Sequence, residues 1–508
     1  MADDPTFYDE IECYPGQLSY QSGETVELHV STKAGAFHTT VERWGAGRET
    51  VVEVDNTPGQ FTPAPPDADA NGCAWPVSLE FEIPDHWVSG YYLVTLTAHE
   101  AAPGRDVAHA GFVVRAAEPT STTLMVLATN TWNAYNNWGG KSLYTGGTQV
   151  SFQRPFGRGM LYRPETERDD RKSRPARWGE ETDSDGQIFQ DYRAAMGYPP
   201  AIGSSGWFTF ERRFVEWAER EGRSFDFAVS TDLDRDPSIL DGYELVLSVG
   251  HDEYWSTPQR AALERYIEAG GNFASFSGNT MFWHVRHEGE AMVCHKYTAH
   301  ETDPVVAAGR PEEMTGMWCD PVVGRPEWCV LGGGSAFGLY YRFGRAVVAG
   351  SGGFTVYRDT HWLFENTGLR YGDVLGAKHG AVGYETLGCK LQLDDYQLPI
   401  AAPVDGMPPE VEVVAFVPAS NVGMGEYPLS ISALNDQGDL EFVAARLYGD
   451  NSPDSLARVR YGNAVILTCK PYGSNGGEVV TIGTTDWAFA LADDPPVAQL
   501  TRNVLDHW

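Results

Sequence analysis

Long apolar runs are missing from this sequence, and none approaches the length of a transmembrane helix. The opening residues, MADDPTFYDE, are acidic and lack the basic-then-apolar order of a secretory leader. Both absences make the cytoplasm the expected location, with no membrane partner. Bases are scarce as well: 37 Lys and Arg stand against 70 Asp and Glu, a net charge of −33. A chain so charged repels phosphate backbones, which argues against nucleic acid as a partner. The seven cysteines are scattered and odd in number, and no CxxC pair occurs, so reduced, structural thiols are expected. There is no HExxH and no GxSxG, and "GGGSAFG" lacks the strand-turn-helix setting of a nucleophilic serine.

What the chain does contain is enough apolar sequence for large cores, over a length that calls for more than one domain. Residues 1–116 read as all-β: "ETVELHVST" and "VSLEFEIP" alternate polar with apolar, "GYYLVTLTAHE" and "HAGFVVRA" are further strands, and Gly/Pro/Asp clusters separate them. This pattern predicts an Ig-like β-sandwich, followed by a linker at 117–123. From 124 to 508 the texture becomes α/β. "TLMVLAT", "FDFAVSTD", "DGYELVLSVG" and "NFASFSGN" read as buried strands, separated by helical stretches at 207–222 and after Ser256. Ser256 with Gln259 fits a capping box, Pro258 lies in the first turn, and Gly270 ends that helix. An open α/β sheet is expected, with a possible β insertion around 405–465 and a polar surface excursion over 163–206.

In such a sheet ligands bind beyond the carboxyl ends of the strands. Three strands end in polar, aromatic loops: "NTWNAYNNWGGKSLY", "GHDEYWS" and "GNTMFWHVR". If the helix after Ser256 is a crossover, the latter two strands are parallel, and His251, Glu253 and Asn279 project from one rim. Plainer readings compete. Asp252 and Glu253 could favour the positive end of the following helix, and Asn279 after a glycine could be a turn residue. The layout resembles the glutamine amidotransferases, but "GHDEY" stands where their cysteine nucleophile would sit. "HVRHEGEAMVCHKYTAH", with His284, His287, Cys294, His295 and His300, could form a zinc site but matches no named zinc motif.

The ordered set "TNTWNAYNNWGGKSLY", "SFQRP", "DGYELVLSVGHDEYWS", "AGGNFASFSGNTMFW", "VGYET" and "GGEVVTIGTTDWAF" resembles the large subunit of N,N-dimethylformamidase and its wider relatives, over nearly the whole chain. The resemblance implies a glutamine-amidotransferase-like domain and a mononuclear iron(III), Fe3+, held by two tyrosines and a glutamate. It also implies hydrolysis of a small N-substituted amide, with a small partner subunit or a homo-oligomer. Carried over residue by residue, it gives Tyr135, Tyr162 and Glu253 as metal ligands, with Tyr144 and Tyr192 open alternatives for the second tyrosine. It gives His251, Asn279 and Glu385 as catalytic residues. Phenolate and carboxylate are hard donors suited to a ferric ion. Two rival readings remain at this stage: an enzyme of another class on the same scaffold, stacking a saccharide on Trp132, Trp138, Trp255 or Trp283, and a non-catalytic binding protein.

Overall fold

The computed structural model describes residues 10–101, 104–165, 192–199, 201–339, 347–348, 352–383, 385–420 and 439–508. The fold is mixed α/β with several sheets and, among the described residues, no barrel. Two compact units divide it. The first comprises the described residues of Met1–Glu165, Asp191–Tyr243 and Val285–Cys294; the second includes those of Glu244–His284 and His295–Trp508.

In the first unit the alternating stretches are strands. Ile11–Pro15, Thr25–Thr32 and Val77–Glu82 form an antiparallel three-stranded sheet. Ser19–Gln21, Val107–Arg115, Gly90–Ala98, Ala36–Trp44 and Arg48–Pro58 form, in that order, a five-stranded one. Period-2 alternation sends Val26, Leu28 and Val30 inward, where they share one core with Val41, Val94, Leu96 and Phe112. Each such side chain contributes roughly 2 kcal/mol on burial. The expected linker is not slack. The carboxylate of Asp226 accepts the backbone N–H groups of Thr120 and Ser121 and the Thr120 hydroxyl, fixing the chain as it enters the strand Thr123–Leu127. That strand pairs in parallel with Asp226–Val229. The helix read at 207–222 runs Glu211–Arg220, buries Phe214, Val215, Trp217 and Ala218, and gives way to Gly222 at φ +80°.

The second unit is built on a mixed sheet whose order is Leu245–His251, Asn272–Gly278, Val479–Ile482, Tyr461–Cys469, Val411–Ser420, Phe354–Val356 and Val374–Leu375. The first three strands are parallel, from Leu245 opposite Asn272 to His251 opposite Gly278. Their crossover is the helix Thr257–Glu268, capped by the Ser256 side chain, which accepts the Gln259 N–H at 3.1 Å. From Val479–Ile482 onward the neighbours are antiparallel, so the sheet is mixed. A strand buried on both faces reads as the same apolar run in either orientation. Around 405–465 the described residues are two strands of this sheet and two helices, Asp439–Tyr448 and Pro453–Arg460. The expected strand "PLSISALN" and most of the 163–206 excursion lie outside the described residues.

Glu327 is fully buried under this sheet. One carboxylate oxygen accepts the Ser335 N–H at 2.9 Å; the other has no hydrogen-bond partner among the described residues. Burial pushes its carboxyl up to about 7 from an ordinary value of 4.5. Between those values the unfolded chain releases the proton first, so the folded state binds more protons and stability falls as pH rises. The whole effect is about 3 kcal/mol. Glu327→Gln should therefore match the parent near pH 4.5 and unfold at higher urea concentration by pH 8. A stability difference that does not grow between these pH values would refute the assignment.

Candidate functional site

The site grows from the carboxyl ends of the two parallel strands. His251 is the last residue of Leu245–His251, and Asn279 follows Asn272–Gly278. Asn279 adopts φ +55°, a left-handed conformation that asparagine tolerates, so it is a turn residue as well as a site residue. The two loops are laced together by backbone bonds: Met281 N–H to the Asp252 carbonyl at 3.1 Å, and Trp283 N–H to the Glu253 carbonyl at 2.9 Å. Glu385 arrives just before the short strand Thr386–Gly388. It is held by the Thr485 N–H, which donates to its carbonyl at 3.1 Å. Its close approach requires Gly278, because a Cβ there would lie 2.3 Å from the Glu385 carbonyl oxygen.

His251, Glu253, Asn279 and Glu385 are thereby gathered, all buried. His251 Nε2 lies 2.5 Å from Glu385 Oε2 and 3.4 Å from Glu253 Oε2. Asn279 Nδ2 donates to Glu385 Oε2 at 2.9 Å, and the Trp283 indole N–H donates to Glu253 Oε1 at 2.7 Å. Burial raises the Glu385 carboxyl; His251, and then the Asn279 bond, oppose the rise, while Glu253 adds to it. The imidazole and the Glu385 carboxylate are in ion-pair contact when His251 carries its second proton. The Asn279 Oδ1 is buried with no hydrogen-bond partner among the described residues.

Among the described residues, His251, Glu253 and Glu385 form the group of His, Cys, Asp and Glu side chains compact enough for a metal, with ligand atoms within 4.8 Å of one another. Two carboxylates buried beside one imidazole leave negative charge that a cation would balance, and their oxygens suit a hard one. The residues present therefore fit a metal ion.

The plainer reading of Asp252 as a helix-dipole acid gives way here. Asp252 is buried five residues ahead of the helix and takes the Ser248 hydroxyl at 2.7 Å. Burial pushes it up to about 6. The histidine-rich segment is no zinc site among the described residues. His284 meets Thr257 and the Met314 carbonyl, His287 meets Asn130 and Asp234, and His300 meets Asp320. All four tryptophans of the saccharide reading are buried, which removes their faces as open platforms.

Both expected tyrosine ligands belong to the first unit. Tyr135 lies in the helix Thr129–Tyr135, its ring stacked on Tyr144 at 4.1 Å. Tyr162 packs against Trp44, His109 and Phe208. Tyr192 donates its hydroxyl to the Pro164 carbonyl at 3.3 Å. Two supports escaped the sequence reading. One is the indole N–H of Trp283. The other is Lys296, buried, donating to the Tyr254 hydroxyl at 2.9 Å and lying 4.8 Å from the Trp283 ring centre. In "HKYTAH" this lysine carries no signal of burial beyond the tyrosine beside it.

The sequence profile described as N,N-dimethylformamidase beta subunit-like, C-terminal, matches residues 38–500. The chain belongs to that family. Two N,N-dimethylformamidase beta subunits, from an Alcaligenes species and from Paracoccus aminophilus, are each 24% identical to it over 324 residues. Each match covers 58% of this chain and 36% of the relative, so the chain spans about a third of the length of the dimethylformamidase subunits it matches.

Proposed function

We propose that the chain is a metal-dependent hydrolase of small N-substituted amides. The observation that carries this is the buried cluster of His251, Glu253, Asn279 and Glu385 at the strand ends. The names of the two relatives supply the reaction class. Glu253, held by the Trp283 N–H, is the metal ligand in this reading, and Glu385 or His251 offers a further donor. A bound hard cation, iron(III) by family resemblance, would polarise the amide carbonyl and make water more acidic. The chain's own residues manage the proton. The His251–Glu385 pair takes it from the attacking water as the new C–O bond forms, then returns it to the amine nitrogen as the C–N bond breaks. Asn279 orients Glu385 through Nδ2, and its Oδ1 is available to accept an N–H or water hydrogen.

The resemblance, rather than the donor cluster, supports the tyrosine ligands Tyr135 and Tyr162. The stacking of Tyr144 on Tyr135 favours Tyr144 as the companion phenol, since it puts the two rings side by side. The same resemblance supports the finer architecture, an Ig-like sandwich at 1–116 and a glutamine-amidotransferase-like domain from 124. The shared core of the first two sheets and the crossover helix are consistent with it. The relatives' designation as beta subunits supports a small partner subunit or an oligomer, and a cytoplasmic setting is kept with this reading.

Metal analysis, the visible spectrum and release of dimethylamine from N,N-dimethylformamide test the proposal together. A stoichiometric metal, amide hydrolysis lost on chelation, and for iron a tyrosinate charge-transfer colour are expected. Protein that takes up no metal and hydrolyses no small amide would overturn it.

A further inference from the structure

The two parallel strands that lead to His251 and Asn279 carry a chain of buried hydroxyls that the proton chemistry leaves unused. Ser248 stands opposite Ser275, and Gly250 opposite Ser277. Ser248 Oγ donates to Asp252 Oδ2 at 2.7 Å and lies 3.2 Å from Ser277 Oγ. Ser277 Oγ lies 2.6 Å from Thr280 Oγ1, and Ser275 Oγ braces both, at 2.9 and 3.2 Å. All five side chains are buried. A carboxylate only accepts, and each hydroxyl has one hydrogen to give. The chain therefore has a direction: Thr280 donates to Ser277, Ser277 to Ser248, and Ser248 to Asp252.

Both ends of this chain are fastened to the site. Asp252 stands between His251 and Glu253 in the sequence. Its backbone carbonyl accepts the Met281 N–H and the Trp255 indole N–H, each at 3.1 Å. Thr280 sits between Asn279, at φ +55°, and Met281, at φ +58°. Two left-handed residues other than glycine strain a turn, and such a turn persists only where its surroundings hold it. Holding this one are the Thr280 hydroxyl in the chain, the Met281 N–H on the Asp252 carbonyl, and Asn279 Nδ2 on Glu385.

From this geometry we infer that Asp252 and Thr280 are positioning residues, the two ends of a clamp that keeps the strained turn, and with it Asn279, in place against Glu385. Each acts through Asn279 and the backbone of His251–Glu253 rather than on the substrate. The hydroxyl chain ties one strand end to the other. Broken, it lets the turn relax from its left-handed conformation and carries Asn279 away from Glu385. The kinetic consequence rests on the hydrolase reading; the clamp itself is a property of the fold.

Thr280→Ser and Thr280→Ala both lose the methyl group and differ by one hydroxyl, so their comparison tests the clamp. Hydrogen exchange over residues 279–283 should be at least about tenfold faster in Thr280→Ala than in Thr280→Ser, with exchange in Val479–Ile482 alike in the two. For N,N-dimethylformamide, Thr280→Ala should show a kcat at least about tenfold below that of Thr280→Ser, a KM within about twofold, and equal metal content, since Glu253 is untouched. Asp252→Ala should repeat both effects; where it fails to fold, the Thr280 pair decides. A role in folding alone would instead lower the urea midpoint of Thr280→Ala and leave its kcat per folded molecule at the Thr280→Ser value. Equal exchange in the two Thr280 variants, or equal kcat where both are active, would overturn the inference. If the parent hydrolyses no small amide, faster exchange confined to 279–283 still supports the clamp, and the hydrolase reading alone fails.

Discussion

Glu253→Gln should lose bound metal and about a thousandfold in kcat/KM for a small amide, roughly 4 kcal/mol of transition-state stabilisation. The substitution keeps the shape of the side chain, and Trp283 can still donate to the remaining carbonyl oxygen, 2.7 Å away in the parent. What goes is one negative charge beside Glu385 and the carboxylate that would hold the cation. Because Glu253 adds to the rise of the buried Glu385 carboxyl, its neutralisation should leave folding stability equal or slightly higher. Activity and stability should thus move in opposite directions. Trp283→Phe, which removes only the supporting N–H, should cost about tenfold. Urea unfolding, metal analysis and steady-state kinetics on the same preparations check the whole set. Unchanged kinetics and metal content in Glu253→Gln would leave a fold without this chemistry.

Gly278→Ala should be the most damaging single methyl group near the site. Its Cβ would stand 2.3 Å from the Glu385 carbonyl oxygen and 2.7 Å from the Thr485 backbone nitrogen. Both neighbours are backbone, so neither can yield by a rotamer change, and one strand end must move. Overpacking of this kind costs about 2–3 kcal/mol. The displacement would fall on Glu385 and Asn279 together, so activity should drop at least about a hundredfold even where the protein remains folded. Gly270→Ala, at φ +103° with open space around the position, should lower stability through backbone strain yet spare the kinetics. If Gly278→Ala retains parental kcat/KM, the close approach does not hold the site.

The legible parts of this protein share one property: their signal is local. Alternation in Thr25–Thr32 and Gly90–Ala98, and the Ser256 cap with Pro258 behind it, are decided within a few residues. The rim formed by His251 and Asn279 was also legible, because a crossover helix forces two strands to run parallel and end together. Asp252 was harder to read. Beside a helix start it resembles a dipole acid, yet in the fold it turns back to Ser248, and only burial reveals that. The mixed direction of the sheet was hidden for the related reason that apolar runs do not encode orientation.

By itself the sequence determined which residue types stand at the strand ends and, through its ordered motifs, the family. The tertiary structure decided which of them meet. It brought Glu385 onto His251 at 2.5 Å although they stand 134 positions apart in the chain, using Gly278 as the clearance that permits the approach. It also joined Thr280, Ser277 and Ser248 to Asp252 in a hydroxyl chain that no motif marks. Contacts of this range depend on strand order and backbone clearance, which the whole packed chain fixes and no short stretch carries.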